Sequence, residues 1–275
     1  GSVWESGRDL VRAGYAAFRG IARLPERSLR GSSPFSVPSS LDERGRITQI
    51  LGEGVRMGVV RMDAERVYWF VAFNSPPLMS PSGRRQGTGK ETDGDALRKR
   101  CKELLQEKGW RSDALALVDS TPSDCLFLSD ISFRPPALAP WGVGGVSLIG
   151  DAAHPTTPNL AQGGAAGLED AVELGRVLRQ KFGERQRSPD VSSSPRISVE
   201  ELLREWERGR IPRLVQLNVR AFVLGAVLQL DLGPLTSLRD FLMSTFLASS
   251  SPLGIPGRFV VTHLLLSHTE WKPSR

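Results

Sequence analysis

Cysteine, tyrosine and histidine are scarce in this chain, with two, two and three residues in 275. Cys101 and Cys125 have neither CxxC spacing nor a cysteine/histidine partner set, which argues against a disulfide framework or a metal site and for two free thiols. With His154, His263 and His268 as the whole imidazole inventory, no Ser/His/Asp nucleophile arrangement stands out. No apolar run approaches the roughly 20 residues of a bilayer-spanning helix; the longest is Ala221–Leu230. No basic-then-apolar leader opens the chain either. The sequence shows no membrane span and no signal peptide, and leaves peripheral membrane association open. The first residue is Gly1 and Gly1–Ser6 carries no helix-start signal, so the expectation is a chain lying inside a longer gene product.

Charge of one sign is not concentrated. The net charge is +6, but Arg204, Arg208, Arg210 and Arg213 share one stretch with Glu200, Glu201, Glu205 and Glu207, which reads as a solvated mixed face. Arg84, Arg85 and Lys90 lie in a Gly/Ser/Pro-rich loop. This scatter points away from a nucleic-acid partner.

What is present is a mixed α/β pattern. Apolar runs at 47–51 and 55–60, separated by Gly52 and Gly54, predict paired strands, and the signals from Tyr15 to Asn74 suggest an antiparallel meander. In 66–74 the pleat puts Val67, Trp69, Val71 and Phe73 on one face and Tyr68, Phe70 and Ala72 on the other, which predicts a central strand covered on both sides. Leu97, Cys101, Leu104 and Leu105 have helical spacing, with Asp93 or Asp95 to cap the start and Gly109 to close the end. A further strand is expected at 125–131. Ser198 and Glu201 form a capping box for a helix with Val199, Leu202, Leu203 and Trp206 inward, which Pro212 should kink or interrupt. The expected organisation is an antiparallel sheet with helix 96–108 in residues 1–135, a second unit at 136–182, a flexible insertion at 183–197 and C-terminal helices at 198–275.

The chemistry-bearing stretch is 146–171. Val146–Ile149 reads as a short buried strand, Gly150 permits a sharp exit, and Asp151 stands at the strand's carboxyl end, where open α/β sheets hold ligands. Leu168, Ala171, Val172, Gly175 and Leu178 predict a helix from about Gly163 to Arg179 with that stripe inward. Its Gly163-Gly164 start leaves first-turn N–H groups uncovered, a site suited to an electron-rich ligand atom. Pro155 and Pro158 stiffen the loop between. By spacing alone, an ordinary strand-loop-helix unit in which Asp151 caps a turn fits equally well.

The series Gly150-Asp151-Ala-Ala-His154-Pro155, then Pro158-Asn159-Leu160, Gln162-Gly163-Gly164 and Glu169-Asp170-Ala171, resembles the second FAD-binding motif of the class A FAD-dependent monooxygenases. Tyr15–Gly20, Val67–Phe70 and Arg239-Asp240-Phe241 resemble other segments of that family, most nearly its zeaxanthin epoxidase-like members. The resemblance implies an antiparallel substrate-domain sheet joined to part of a Rossmann-like FAD domain. It also implies FAD as cofactor, NAD(P)H as reductant, O2 and a small apolar, aromatic or isoprenoid compound as substrates, and hydroxylation or epoxidation as the reaction. By motif position, Asp151 would hydrogen-bond the ribityl or pyrophosphate region of FAD, Pro158 would lie near the isoalloxazine, and Gly163, Gly164 and Ala165 would offer N–H groups to its N1–C2=O edge. His154 would be a hydrogen-bonded residue of the turn. Two departures stand out. Ala161 occupies a position usually held by glycine, and the GxGxxG motif and the family's full central motif around Asp-Gly are absent from the 275 residues. The alternatives are a non-catalytic remnant of the same fold or another flavoprotein, such as a halogenase or reductase.

Overall fold

The computed structural model describes residues 10–23, 47–76, 78, 93–110, 112–135, 138–187 and 198–246. His263, His268, the 84–90 basic loop and most of the 183–197 insertion lie outside the described residues. The chain divides into two compact units, Gly14–Ile131 with Val227–Phe241, and a second built around Ser132–Ala226.

The first unit is organised on a five-stranded sheet of order β2-β3-β4-β1-β5, where β1 is Val11–Arg23, β2 Ile47–Leu51, β3 Val55–Arg61, β4 Arg66–Asn74 and β5 Leu126–Phe133. The β2–β3, β3–β4 and β4–β1 ladders are antiparallel. As the two-sided apolar pattern requires, β4 is central. Its Val67, Trp69, Val71 and Phe73 join Ala16, Phe18, Val55 and Met57 in one core with helices α1 (Gly94–Glu107) and α2 (Ser112–Asp119). Asp93 caps α1 by accepting from Asp95 N–H, and Gly109 follows it at φ 68°. Sequence periodicity missed α2, whose eight residues are too short to show more than one helical repeat.

Glycine decides the cross-strand packing at two places. Gly20 opposes Trp69 and Gly58 opposes Phe70 in the strand register. A Cβ at Gly20 would fall 2.7 Å from the Trp69 ring, and one at Gly58 would fall 2.1 Å from the Phe70 ring. Each aromatic ring thus lies over a residue with no side chain, one on each face of the sheet. On the second face, Arg56 is buried between Tyr15 and Phe70, its guanidinium carbon 5.8 and 5.9 Å from the two ring centres. Burial pushes this guanidinium below its usual range, partly offset by the charge and hydrogen bond of Tyr15. No periodic signal marked this cation, because in the sequence it is a single polar residue in an apolar strand.

α5 (Pro234–Phe246) carries its polarity inverted. Thr236 and Arg239 are buried and bond the Leu230, Leu228 and Gly52 carbonyls, whereas Leu235, Leu238, Phe241 and Leu242 are exposed.

The second unit rests on α3 (Gly163–Arg187) and α4 (Val199–Leu228). Its core joins Trp141, Ala153, Ala166, Trp206, Ile211, Leu214 and Leu217. Four expectations fail here. Val146–Ile149 is not a strand: it makes only the isolated bridge Val143↔Val146, with Val146 and Ile149 exposed, because an apolar run becomes a strand only where a neighbouring strand pairs with it. Asp151 accordingly sits in a 3-10 turn, Gly150–Ala152, rather than at a strand end. The expected stripe on α3 faces outward, with Leu168 72% and Val172 53% exposed, while Ala166, Asp170, Leu174 and Val177 face in. The helix is apolar on both sides, and the buried Asp170 selects the inner one by meeting its partners there. α3 also continues through Gly183–Arg187, where Glu, Arg and Gln favour helix over the expected flexible insertion.

Finally, Pro212 does not interrupt α4, although it removes one backbone donor. Buried Ile211 and Leu214 and the side-chain bonds of Arg210 and Arg213 hold the helix on both sides of it. Ser198 caps this helix through Glu201 N–H at 3.3 Å, and of the expected stripe only Val199 is exposed. Among the described residues, α4 alone is long and apolar enough by composition to cross a membrane. Its Trp206, Ile211, Leu214 and Leu217 are packed into the core instead.

Candidate functional site

The residues from Gly150 to Ala165 form a turn, a tethered loop and a helix start. Gly150 adopts φ 57°, open to glycine at little cost, and its carbonyl accepts from both Ala153 and His154 N–H at 2.9 Å. The turn lies directly against the first turns of α3: a Cβ on Gly167 would come 3.4 Å from the Gly150 Cα. Arg134 fastens it from outside by donating to the Ala152 and Ala153 carbonyls at 2.6 and 2.8 Å. Two asparagines tie the following loop to α4: Asn218 Nδ2, which donates to the Arg134 carbonyl at 2.9 Å, also reaches the Pro155 carbonyl at 3.5 Å, and Asn159 Nδ2 donates to the Ala221 carbonyl at 2.8 Å.

The exposed Asp151 carboxylate meets the start of α3. A Cβ on Gly163 would lie 3.8 Å from Asp151 Oδ1 and 3.5 Å from Thr156 Cγ2, and one on Gly164 would meet nothing within 4 Å. The first helical turn is therefore open on this side, and the N–H groups of Gly163, Gly164 and Ala165 have no intrahelical acceptor by position. Thr156 adds a buried hydroxyl with no hydrogen-bond partner. The structure thus brings Asp151, Gly163 and Gly164 together with Thr156, which sequence reasoning missed. Pro158 is exposed and opens the 3-10 turn Pro158–Leu160.

Ala161 ends that turn at φ 54°, the one non-glycine residue in the left-handed region among those described. A Cβ there costs roughly 1–2 kcal/mol, against about 0.5–1 kcal/mol of extra unfolded-state freedom for glycine. Ala161→Gly should therefore raise stability by up to about 1 kcal/mol. A rise of a few degrees in the thermal midpoint is expected; a fall would show that the loop gains from the methyl group.

Behind the loop lies a buried polar cluster. Asp170 is fully buried. Its Oδ2 accepts from Gly150 N–H at 3.0 Å and lies 2.6 Å from His154 Nε2, and its Oδ1 accepts from Arg210 Nε at 2.9 Å. Burial pushes this carboxyl up, but the His154 and Gly150 hydrogen bonds, the His154 charge and the Arg210 bond together outweigh it and hold the group below the usual carboxylate range. His154, expected as a hydrogen-bonded turn residue, is packed 5.0 Å from the Trp141 ring, which meets Trp206 edge-on at 5.6 Å. Glu169 binds Arg210 Nη2 at 3.1 Å and Arg213 Nε and Nη2 at 2.7 and 2.6 Å. Glu207, only 1% exposed, accepts from Trp141 N–H and pairs with Arg204 at 3.0 Å. The charged stretch of α4 is thus divided: Glu200, Glu201, Glu205 and Arg208 form the exposed face its mixed composition suggested, whereas Glu207 and Arg210 are buried and Arg204 and Arg213 find carboxylates inside the unit.

Residues 98–189 match the family model described as FAD binding domain. The chain is 32% identical over 167 residues, 60% of its length, to the aurachin C monooxygenase/isomerase of Stigmatella aurantiaca, and covers 36% of that protein. It is 28% identical over 267 residues, 96% of its length, to the chloroplastic zeaxanthin epoxidase of Spinacia oleracea, covering 34% of it. The structure of Klebsiella pneumoniae HpxO with FAD and uric acid aligns with a TM-score of 0.60 and 26% identity over 86% of this chain and 50% of that one. The chain is thus similar to FAD-dependent monooxygenases. It spans about a third of the length of these curated relatives and half of the HpxO chain. The mixture of antiparallel sheet and helices matches the fold of that FAD-bound structure, and residues 146–172 lie inside the stretch matched by the FAD binding domain model.

Proposed function

We propose that the Gly150–Ala165 segment holds the flavin end of FAD in a monooxygenase that uses NAD(P)H and O2 to oxygenate an apolar or aromatic ring compound. The observation that carries this reading is the open first turn of α3 facing the Asp151 carboxylate, with the Thr156 side chain beside it. When bound, FAD would supply the redox chemistry. The chain's own residues have separable tasks. Asp151 accepts hydrogen bonds from ligand hydroxyls, and the Thr156 methyl lines the helix start beside it. The N–H groups of residues 163–165, with the helix dipole behind them, stabilise negative charge at the electron-rich edge of the ring system. The side chains of Tyr68 and Phe70, partly exposed on the second face of the sheet, support an aromatic or apolar substrate class.

A titration of the chain with FAD, followed by quenching of flavin fluorescence, tests this. A few hydrogen bonds, less the ordering cost, predict a Kd in the high micromolar range. Asp151→Ala should weaken it by about tenfold or more while leaving the thermal midpoint unchanged, because it removes a ligand contact and no core volume. Affinity indifferent to Asp151→Ala would remove the site from this segment.

A further inference from the structure

We propose that Asp170 and Arg210 are positioning residues for this site: α4 sets the distance between the Asp151 turn and the open start of α3 through a single buried carboxylate. The inference rests on the flavin reading above and assigns the device that keeps the site in shape.

Three elements meet at Asp170. It belongs to the second turn of α3, its Oδ1 is held by Arg210 of α4, and its Oδ2 holds the Gly150 amide, the residue immediately before Asp151. The Gly150 amide cannot shift without losing a hydrogen bond to a carboxylate that is itself fixed by a guanidinium. The contact between turn and helix is glycine on glycine, Gly150 against Gly167, so no side chain fills the space if the turn moves. Asp151 would then drift relative to residues 163–165 with little steric resistance. Arg210 does more than neutralise Asp170. Its Nη2 reaches Glu169 at 3.1 Å and the Ala166 carbonyl at 3.4 Å, so one planar fork spans a full turn of α3. Arg213 holds Glu169 from the next turn of α4, which fixes the fork's own position. His154, packed on Trp141, closes the fourth side of the carboxylate. None of these side chains is among those expected to touch the flavin, and their effect on it runs through Gly150 and the helix start.

The test uses the full chain with two conservative variants, Asp170→Asn and Arg210→Lys, and a control, Val118→Ala, which lowers stability in the other unit. Asparagine can still accept from Gly150 but not from Arg210 as a carboxylate does, and lysine keeps the charge but loses the fork. Three quantities are read: the hydrogen-exchange rate of the Gly150 amide with the amide shifts of Gly163 and Gly164, the affinity for FAD, and the thermal midpoint. Both variants should speed Gly150 exchange and weaken FAD binding by tenfold or more, and Val118→Ala should change neither despite a comparable loss in midpoint. Unchanged Gly150 exchange in both variants, or a loss of FAD affinity in Val118→Ala equal to theirs, overturns the proposal. If the wild-type chain binds no FAD, the flavin reading fails, and the exchange rates and the Gly163 and Gly164 shifts still decide whether the clamp exists.

Discussion

Trp69→Ala is expected to lower the unfolding free energy by about 3–5 kcal/mol, the usual range for removing a buried tryptophan. The side chain is completely buried, and its Nε1 donates to the equally buried Thr121 Oγ1 at 2.8 Å. Thr121 itself donates to the Leu117 carbonyl at 3.0 Å, so the indole links β4 to the end of α2. The glycine beneath it prevents any local repair: Gly20 has no side chain to move into the space, and its neighbours in the ladder are fixed by register. Trp69→Phe separates the two contributions. It keeps most of the apolar contact and leaves Thr121 without its donor, which should cost about 1–2 kcal/mol. Urea unfolding at neutral pH measures both. A loss below 1 kcal/mol for the alanine variant would mean that the sheet closes over the gap, and the glycine-aromatic pairing would not be what fixes β4.

The strands were readable because their period is short. Val67, Trp69, Val71 and Phe73 alternate within nine residues, and the Gly52 and Gly54 turn formers mark where β2 hands over to β3. The α1 helix was readable through Asp93 and Gly109, since capping is a local code. The Gly150–Gly164 stretch stood out as a run of glycines and prolines around one carboxylate. What periodicity could not supply was the direction in which α3 faces. Leu168, Ala171, Val172 and Gly175 make as good a stripe as Ala166, Asp170, Leu174 and Val177, and hydrophobicity alone prefers the first. The choice is made by Arg210, 40 residues further on, whose guanidinium requires a buried carboxylate. Long-range pairing of charges leaves no local trace, and the same reason hid Glu207 behind a mixed-charge pattern. The Val146–Ile149 segment shows the converse limit: its composition is that of a strand, but pairing belongs to two segments and cannot be read from one.

Arg210→Ala should produce the largest loss in the second unit, about 3–5 kcal/mol at neutral pH, because it leaves the Asp170 carboxylate buried without its guanidinium and Glu169 with one partner fewer. The pH dependence identifies the cause. In the wild-type protein the Asp170 carboxyl titrates below its unfolded range, so its contribution to stability is fully present above about pH 4, the ordinary aspartate value, and is lost as pH falls through the folded pKa. Removing Arg210 takes away one of the bonds that hold that folded pKa down, so the variant has less to lose on acidification. The gap between wild type and Arg210→Ala should therefore narrow as pH drops from 6 to about 3. A second substitution sharpens the test. Arg210→Ala combined with Asp170→Ala removes both charges, and the pair should be less destabilised than the sum of the two single variants, since neither leaves an unpaired ion behind. Denaturant midpoints for the four proteins at each pH close the cycle. A gap that stays constant with pH, together with strict additivity in the double variant, would show that Arg210 stabilises α4 through its aliphatic stem alone and that Asp170 is held by Gly150 and His154 without it.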